Sequence, residues 1–374
     1  MPDDVPVIVV GAGPSGLSTA GALALLGIRA TVLERDAEIG ARWTERYARL
    51  RLHTIRRFSG LAHHPLPREL PRYVAKDDFA RYLRDYAGRL GLDVRLATDV
   101  SRIRRDADDW VVEAPAAAVR APVVVVATGK HDVPVVPEWP GRETFRGSLV
   151  HSSRYRSGAD YAGQDVLVAG FGNTGAEIAA DLVERGAHRV AISVRTSPPI
   201  QRRDVLGIPI QLLGMAASVL PPRAADGIAS ALRRIAIGDL SRYGLGPAEW
   251  GPFTAKRPPI IDVGFLRQLR ARRVEIVPAV ERLTEHDVVF ADGRSEPFDA
   301  VVAATGFRNT LTDLVELDGE PARAPAGGAP WGPGLPRGLY VIGLRETVRG
   351  DLFEIRRDSL ALAREISHAL AARR

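Results

Sequence analysis

Two glycine-rich turns are the residues of this chain whose types and spacing point most directly to chemistry. The first, GAGPSG, follows the strand-like run VPVIVV and precedes the helix-like run LSTAGALALLG. Gly11 allows a tight turn, Gly13 lets a pyrophosphate approach the backbone, and Gly16 lets the helix pack against the strand. The phosphates then meet the positive N-terminus of the helix. The pattern predicts a dinucleotide site, in which we include Pro14 and Ser15.

An acidic residue closes the next predicted strand. Glu34 lies about 20 residues after the glycine turn, where a carboxylate accepts hydrogen bonds from ribose hydroxyls. Because a carboxylate repels a 2′-phosphate, this site suits FAD or NAD. We place the neighbouring Arg35 and Trp43 in the same cofactor site. A glycine turn of an ordinary α/β unit, with no nucleotide, is the alternative interpretation.

The same pattern returns later in the chain as GFGNTG. Gly170, Gly172 and Gly175 again follow a strand-like run, VLVA, and precede a helix-like run that ends near Gly186. The repeat predicts a second dinucleotide site, with Asn173 and Thr174 inside the turn.

The strand after the second turn ends in a base where the first ends in an acid. Arg195 occupies this position, and a guanidinium can hold a 2′-phosphate with two hydrogen bonds. Thr196 or Ser193 would add a hydroxyl donor. The second site is therefore expected to prefer NADPH to NADH. The alternative is a solvated arginine at a strand end.

Two apolar runs, at 123–130 and 301–307, end in Ala-Thr-Gly. Continuous apolar runs are typical of central parallel strands, and the glycine allows the chain to turn away beside a bound nucleotide. We assign four residues at these strand ends to cofactor binding: Thr128, Gly129, Thr305 and Gly306.

The order of these motifs predicts an α/β fold with two Rossmann-like dinucleotide-binding domains, the NADPH domain inserted into the FAD domain. We expect residues 1–155 and 290–374 to form the FAD-binding domain and residues 156–289 to form the NADPH-binding domain. The expected crossovers are the proline-rich stretch 132–141 and the stretch 274–283.

Composition excludes several classes of function. A chain of 374 residues with 45% apolar residues suits two domains, each with its own core. Because the sequence contains no cysteine, structural disulfides, thiolate zinc sites, cysteine nucleophiles and dithiol relays are excluded. We expect no metal site, since His63 and His64 stand alone before Pro65 in a predicted loop.

Charge and hydropathy bear on partners and location. The net charge is +6 and the pI is about 9.9, but the basic residues are scattered, which favours a generally basic surface over a nucleic-acid site. The longest apolar stretch, 207–220, is shorter than the roughly 18 residues of a spanning helix, and the acidic start is not typical of a signal peptide. We expect a cytoplasmic protein without nucleic-acid or membrane partners, with a homodimer left open.

A further pattern lies between the two glycine turns. Phe145, Gly147, His151 and Tyr155 have the spacing F-x-G-x-x-x-H-x-x-x-Y, which fits neither the period of a helix nor that of a strand. The pattern resembles the identifying sequence of the flavin-containing monooxygenases, and we expect it to link the two domains. Within that family the chain is most similar to the plant YUCCA type, which converts indole-3-pyruvate to indole-3-acetate. The resemblance covers most of the chain, through RLRLHTIRRFSGLAHHPLPRELPRY, LVHSSRYRSGADYAGQDVLVAGFGNTGAEIAADL, GDLSRYGLGPAEWGP and PPIIDVGFL.

An FAD site and an NADPH site in a cysteine-free chain make dioxygen the expected electron acceptor, because no protein disulfide is available. The resemblance implies a hydroperoxyflavin, protected from water, that transfers one oxygen atom to a small-molecule substrate. Oxidative decarboxylation of an aryl 2-oxo acid is then the expected reaction. The alternatives are a Baeyer–Villiger or N-hydroxylating monooxygenase acting on a larger metabolite, and a non-catalytic NADP(H)-responsive binding protein.

His53 and Asn173 are the candidate active-site residues. The resemblance places His53 where many relatives have an asparagine that faces the flavin, and a purely structural histidine is the alternative. Asn173 is expected on the nicotinamide side, and His151 is expected to position the cofactor. We expect neither Asn173 nor His151 to act as a catalytic base.

The chain departs from the plant pattern near its end. Where the plant enzymes tend to have LFGASLDA, this chain has LFEIRRDS, which puts Glu354, Arg356 and Arg357 at small or apolar positions. Because the tail is expected to approach the flavin, we expect a larger or more polar substrate, whose carboxylate an arginine would pair with. The loop 325–338 also differs, and it is expected to be a lid or a surface connection.

Overall fold

The computed structural model of the protein describes residues 5–115, 117–317, 320–321 and 335–373. The chain divides into two compact units. The first comprises the described residues up to Thr44, then Thr54–Val133, and those from Phe307 onward. The second comprises Glu45–His53 and Pro134–Gly306.

The first unit is built around a five-stranded parallel sheet. Its central strand, Val7–Val10, is buried along its whole length, as a continuous apolar run in a parallel sheet requires. From one edge to the other the strands are Leu339–Val341, Val123–Val126, Val7–Val10, Ala30–Leu33 and Asp93–Arg95.

The helices of the first unit cover this sheet. Pro14–Ala24 follows the central strand and packs on the C-terminal helix Asp351–Ala371, where the hydroxyls of Ser18 and Ser359 lie 2.7 Å apart in a hydrogen bond. The other described helices are Ala41–Thr44, Lys76–Arg89 and Leu311–Leu314, with a 3₁₀ turn at Arg56–Phe58.

A second five-stranded sheet completes the first unit. Trp110 fills the core beside it, with 1% of its surface exposed, and its indole N–H donates to the carbonyl of Arg337 at 3.2 Å. The strands are, in spatial order, Glu320–Pro321, Val315–Leu317, Arg102–Asp106, Asp109–Ala114 and Ala117–Ala121.

The second unit repeats the parallel design. Its central strand, Asp165–Ala169, leads into the helix Asn173–Glu184, and the helix Phe265–Arg270 packs beside that helix. The five strands are, in spatial order, Glu275–Val277, Arg189–Ser193, Asp165–Ala169, Ala300–Ala303 and Ser148–His151, all parallel.

Several smaller elements complete the second unit. An antiparallel sheet joins Val280–Leu283, Asp287–Phe290 and Ser295–Pro297, and a parallel pair joins Ile200–Arg202 to Ile260–Asp262. A hairpin of Asp204–Val205 and Ile208–Pro209 precedes two helices, Ile210–Ala217 and Pro222–Ala236. The remaining elements are the 3₁₀ turns Gly158–Tyr161 and Ser241–Tyr243, and the short strands Val133–Pro134 and Phe307–Arg308 next to the unit boundaries.

The fold is therefore α/β, with two Rossmann-like units and the second inserted into the first. The unit boundaries, at 133/134 and 306/307, differ from the expected 155/156 and 289/290. The reason is strand pairing: Ser148–His151 pairs with Ala300–Ala303, so both flanks of the predicted inserted domain belong to the parallel sheet of the second unit.

Two expectations about connections also change. The stretch 145–155, expected to link the domains, contains a strand of the second unit's parallel sheet. The stretch 274–283 lies inside the second unit. Which nucleotide each unit binds stays a prediction. No helix in the described parts of the chain is both long enough and apolar enough to cross a membrane.

Candidate functional site

The first glycine turn has the backbone that a pyrophosphate site needs. Gly11 has φ of +107°, and a Cβ on Gly16 would lie 1.8 Å from the Gly11 carbonyl oxygen. A Cβ on Gly13 would meet no atom within 4 Å, so that side of the turn is open. No side chain caps the N-terminus of Pro14–Ala24, which leaves its amide N–H groups available for an anion.

Glu34 is fixed beside this turn by the backbone. Its Oε2 accepts a hydrogen bond from the amide of Ala12 at 2.6 Å, and its Oε1 accepts one from the amide of Asp36 at 3.0 Å. The carboxylate predicted for the ribose therefore lies next to the predicted pyrophosphate turn, and both belong to the first unit.

Neighbouring candidates of the first unit make contacts within it. Arg35 pairs with the buried carboxylate of Asp132, which also accepts a hydrogen bond from the Thr310 hydroxyl at 2.8 Å. Thr310 lies 3.3 Å from the hydroxyl of Thr128, and Gly129 has φ of +79°. These contacts hold the end of the strand Val123–Val126 next to Arg35.

Trp43 and Ser15 also pack inside the first unit. Trp43 is half-buried and packs edge-on against Phe79, with ring centroids 4.6 Å apart. Ser15 is buried, and a Cβ on Gly343 would lie 2.2 Å from its hydroxyl, so the chain after Leu339–Val341 runs directly against this turn.

The second glycine turn repeats the geometry of the first. Gly170 has φ of +109°, and a Cβ on Gly175 would lie 2.1 Å from the Gly170 carbonyl oxygen. A Cβ on Gly172 would meet no atom within 4 Å, and no side chain caps the helix Asn173–Glu184. Both turns thus present an open face and a helix N-terminus.

Asn173 uses both ends of its amide inside the protein. Its Oδ1 accepts a hydrogen bond from the backbone of Ile261 at 2.7 Å, and its Nδ2 donates to the carbonyl of Pro259 at 3.3 Å. The side chain therefore ties the second glycine turn to the strand Ile260–Asp262. These contacts favour a positioning role over direct chemistry.

The predicted 2′-phosphate residues divide into two groups. Arg195 and Thr196 are exposed, and no hydrogen bond or ion pair joins the Arg195 guanidinium to another described residue. Ser193 is buried and its hydroxyl donates to the carbonyl of Pro278 at 2.8 Å. Ser193 is thus already engaged in the protein, whereas Arg195 and Thr196 are available for a ligand.

His151 anchors the second Ala-Thr-Gly turn. Its Nδ1 accepts the backbone N–H of Ser153 at 3.1 Å, so the ring proton lies on Nε2, which donates to the carbonyl of Gly306 at 3.0 Å. Burial lowers the pKa of His151, which favours this neutral form. The Thr305 hydroxyl donates to the carbonyl of Val135, a second tie on the same turn.

The other residues of the F-x-G-x-x-x-H-x-x-x-Y pattern also pack inside the second unit. A Cβ on Gly147 would lie 2.5 Å from the Phe145 ring, so only glycine leaves room for that ring. The hydroxyl of Tyr155, which is 1% exposed, donates to a carboxylate oxygen of Asp181 at 2.7 Å. Burial followed by this carboxylate raises the pKa of Tyr155 far above its usual value. The pattern therefore has a structural role inside the second unit.

His53 makes a short contact with a buried acid. Its Nε2 lies 2.5 Å from Oε1 of Glu177, a residue with 3% of its surface exposed. Burial and the charge of Glu177 together raise the pKa of the neighbouring Tyr47. The carboxylate of Glu177 accepts a hydrogen bond from the His53 Nε2–H, which fixes the orientation of the ring.

Sequence reasoning missed the two buried acids of the helix Asn173–Glu184. Glu177 contacts His53, and Asp181 accepts hydrogen bonds from Tyr155 and from the backbone of Gly158, the latter at 2.7 Å. The available signal is their spacing, because two acids four residues apart interrupt an otherwise apolar run, AEIAADLV.

The divergent tail forms an ion-pair cluster. Glu354 is 3% exposed, and its carboxylate lies 2.8 Å from a guanidinium nitrogen of Arg345 and 2.5 Å from Nε of Arg349. Arg345 also contacts Asp358 at 3.1 Å. Burial is the main cause that raises the pKa of Asp358. The arginines of the preceding loop, which sequence reasoning missed, thus neutralise the buried Glu354.

The two predicted tail arginines pack on an aromatic ring, and Arg357 also lies 3.9 Å from the carboxylate of Glu354. The guanidinium groups of Arg356 and Arg357 lie 5.6 and 5.7 Å from the centroid of the Phe353 ring. Most of the predicted lid, 325–334, lies outside the described residues. Within the described residues no cluster of histidine and acidic side chains is arranged to hold a metal ion.

Comparisons with known proteins agree with this architecture. Residues 8–206 match the family model described as pyridine nucleotide-disulphide oxidoreductase, although this chain has no cysteine. Indole-3-pyruvate monooxygenase YUCCA1 of Oryza sativa subsp. japonica is 36% identical over 96% of this chain and 90% of that protein. Probable indole-3-pyruvate monooxygenase YUCCA1 of Arabidopsis thaliana is 33% identical over 96% of this chain and 89% of that protein.

Two solved structures are also similar to this chain. The flavin-containing monooxygenase from Stenotrophomonas maltophilia is 25% identical, with a TM-score of 0.73 over 98% of this chain and 99% of that one. The cyclohexanone monooxygenase described as open has a TM-score of 0.75 at 20% identity, over 96% of this chain and 88% of that one, and indicates a shared fold. The chain belongs to the flavin-containing monooxygenase family, in its YUCCA-type branch, and is an NADPH-dependent flavin monooxygenase.

Proposed function

We propose that the first unit holds FAD, that the second holds NADPH, and that the enzyme uses dioxygen to decarboxylate a 2-oxo acid. The observation that carries the assignment of the units is the contrast between Glu34 and Arg195. The two glycine turns have the same backbone geometry, but a fixed carboxylate accompanies the first and an exposed guanidinium accompanies the second.

The residues of the first turn fit FAD. The open face at Gly13 accommodates a pyrophosphate, and the uncapped amides of the following helix would bind it. Glu34, held by the amides of Ala12 and Asp36, would accept hydrogen bonds from the adenosine ribose. The bound flavin supplies the redox chemistry, since it accepts hydride and passes electrons to dioxygen.

The residues of the second turn fit NADPH. Gly172 offers the same open face, and Arg195 and Thr196 would bind the 2′-phosphate as charge-assisted and hydroxyl donors. Asn173 and His151 hold the backbone on either side of the bound nucleotide, through Ile261 and Gly306. Both therefore act as positioning residues.

His53 is proposed as a polar group of the reaction site. With Glu177 holding its Nε2, its Nδ1 would form a hydrogen bond to substrate or cofactor. The protein's own contribution is then orientation and the exclusion of water, without a protein nucleophile.

The substrate is proposed to be a 2-oxo acid because the rice relative is named an indole-3-pyruvate monooxygenase. The tail arginines add no preference for extra negative charge, because Arg345 and Arg349 are already paired with Glu354.

The test is to supply NADPH, dioxygen and a panel of aryl and dicarboxylic 2-oxo acids, ketones, amines and sulfides, and to measure product masses. We expect an acid one carbon shorter than a 2-oxo acid, with release of carbon dioxide. A mass gain of one oxygen without carbon dioxide would instead identify a Baeyer–Villiger or heteroatom-oxidising enzyme.

A further inference from the structure

An exposed apolar face distinguishes one part of the second unit. The described chain has ten large apolar side chains that are well exposed, and six of them lie between 206 and 235. Leu206, Val219 and Ile235 have 98%, 84% and 84% of their surface exposed. Clustered exposure of this kind marks a surface that meets an apolar partner. We call residues 204–235 the apolar face.

The helix Pro222–Ala236 carries apolar residues on its solvent side. Ala224, Ile228, Ala231 and Ile235 follow the helical spacing of four, three and four residues, and all four are exposed. A surface helix normally presents polar residues there. The solvent side of this helix is therefore built for contact with something other than water.

A hairpin and a short helix precede this helix in the chain and also carry exposed apolar side chains. The tip of the hairpin is Leu206, whose φ of +50° is unusual for a leucine. From Val205 to Pro222 the sequence contains no charged residue. The apolar face is thus a continuous stretch of the chain, and the hairpin tip holds a large apolar side chain in solvent.

Basic residues border the apolar face. Segment 202–236 contains five arginines against two aspartates. Asp204 lies 3.9 Å from Arg203, and the carboxylate of Asp226 accepts hydrogen bonds from the amides of Phe253 and Thr254. Asp204 offsets the charge of Arg203, whereas Asp226 is engaged inside the protein, so the segment keeps an excess of positive charge.

A cleft at this border brings two basic side chains together. It has a volume of about 420 Å³ and is lined by Pro221, Pro222, Arg223, Phe253, Thr254 and Lys256. Arg223 and Lys256 are both exposed. Two cations beside an aromatic ring suit a phosphate attached to an apolar body, whereas the Thr254 hydroxyl is held by the carboxylate of Asp226 at 2.6 Å.

We propose that the apolar face docks onto a membrane surface rich in anionic phospholipid, with the cleft at Arg223 and Lys256 holding lipid phosphates. Exposed apolar side chains inside a basic border are the combination by which proteins lie on anionic bilayers. A second copy of the chain fits less well, because a symmetric contact would bring the two basic borders together.

The experiment is flotation of the purified holoenzyme with vesicles of phosphatidylcholine alone or of equal phosphatidylcholine and phosphatidylglycerol. We expect binding to the anionic vesicles only, with weaker binding at high salt. The triple variant Leu206→Gln, Val219→Gln, Ile235→Gln should bind far more weakly, by about tenfold for each side chain. The matched control is Leu25→Gln with Leu26→Gln, two exposed leucines of the first unit.

A charge variant tests the border separately. Arg223→Gln with Lys256→Gln should lower binding to anionic vesicles by about fivefold for each residue. Equal binding by the triple variant and the original protein, or no binding to either kind of vesicle, would overturn the proposal. The proposal would also be overturned if the protein self-associates without lipid and only the triple variant abolishes this association. The apolar face would then be a contact between two copies of the chain.

Discussion

Replacing Arg195 by alanine should weaken the preference for NADPH without loosening the fold. Arg195 is exposed and makes no ion pair with another described residue, so its removal leaves no buried partner behind. A charge-assisted hydrogen bond typically contributes about 1.5 to 3 kcal/mol. The ratio of the two flavin-reduction efficiencies, NADPH over NADH, should therefore fall by roughly ten- to a hundredfold.

The assay is anaerobic reduction of the flavin, followed by its absorbance, over a range of NADPH and NADH concentrations. Arg195→Lys should keep part of the preference, because an ammonium retains the charge but lacks the planar fork. Arg202→Ala, which removes a nearby exposed arginine, is the matched control. An Arg195→Ala protein with an unchanged ratio, together with a reduced ratio in Arg202→Ala, would refute the assignment of the phosphate to Arg195.

Three further changes probe other parts of the structure. Gly13→Val should abolish flavin retention, whereas Gly172→Val should leave the protein yellow but slow its reduction by NADPH. The absorbance of the purified proteins measures both effects. The reverse pattern would show that the first turn binds NADPH and the second binds the flavin. Glu354→Ala should destabilise the protein by about 1 to 3 kcal/mol, because it leaves Arg349 without its buried counter-charge and Arg345 with Asp358 alone. Exposed Glu69→Ala should change thermal unfolding little. Burial depresses the pKa of His151 below its ordinary value of 6.5, so the unfolded state binds more protons than the folded state. The free energy of unfolding should therefore decrease as the pH falls below 6.5. Chemical unfolding of His151→Gln should show a smaller decrease.

The local parts of the fold could be predicted from the sequence. A G-x-G-x-x-G turn demands particular backbone angles and close approaches, and these requirements are local, so Gly11 and Gly16 identify a strand, a turn and a helix. The same reasoning holds for Gly170 and Gly175. The contrast between Glu34 after the first turn and Arg195 after the second could be predicted for the same reason.

Long-range pairing was not predictable in the same way. The strand Ser148–His151 pairs with Ala300–Ala303, far away along the chain, and short apolar runs do not specify their partners. This pairing moves the unit boundaries from their expected positions. The segment Glu45–His53, which belongs to the second unit, has no periodic pattern that would assign it there.

The partners of the buried acids were also hidden in the sequence. Glu354 looked like a replacement inside a substrate pocket, but Arg345 and Arg349 fold back onto it from the preceding loop. Similarly, the sequence indicates no partner for His53, whereas the structure places Glu177 beside it. Spacing indicated which residues are unusual, whereas only the tertiary structure identified the charges they meet.

The central claim is that NADPH reduces a bound flavin, which then uses dioxygen to oxidise a 2-oxo acid. The most direct measurement is a single turnover, in which the protein is reduced by NADPH without air and then mixed with isotopically labelled dioxygen and a 2-oxo acid. The account predicts bleaching of the flavin by NADPH, its reoxidation by dioxygen, and a shortened acid that carries one labelled oxygen atom. A flavin that NADPH fails to bleach, or a reoxidation that yields only hydrogen peroxide with every 2-oxo acid, would contradict the account.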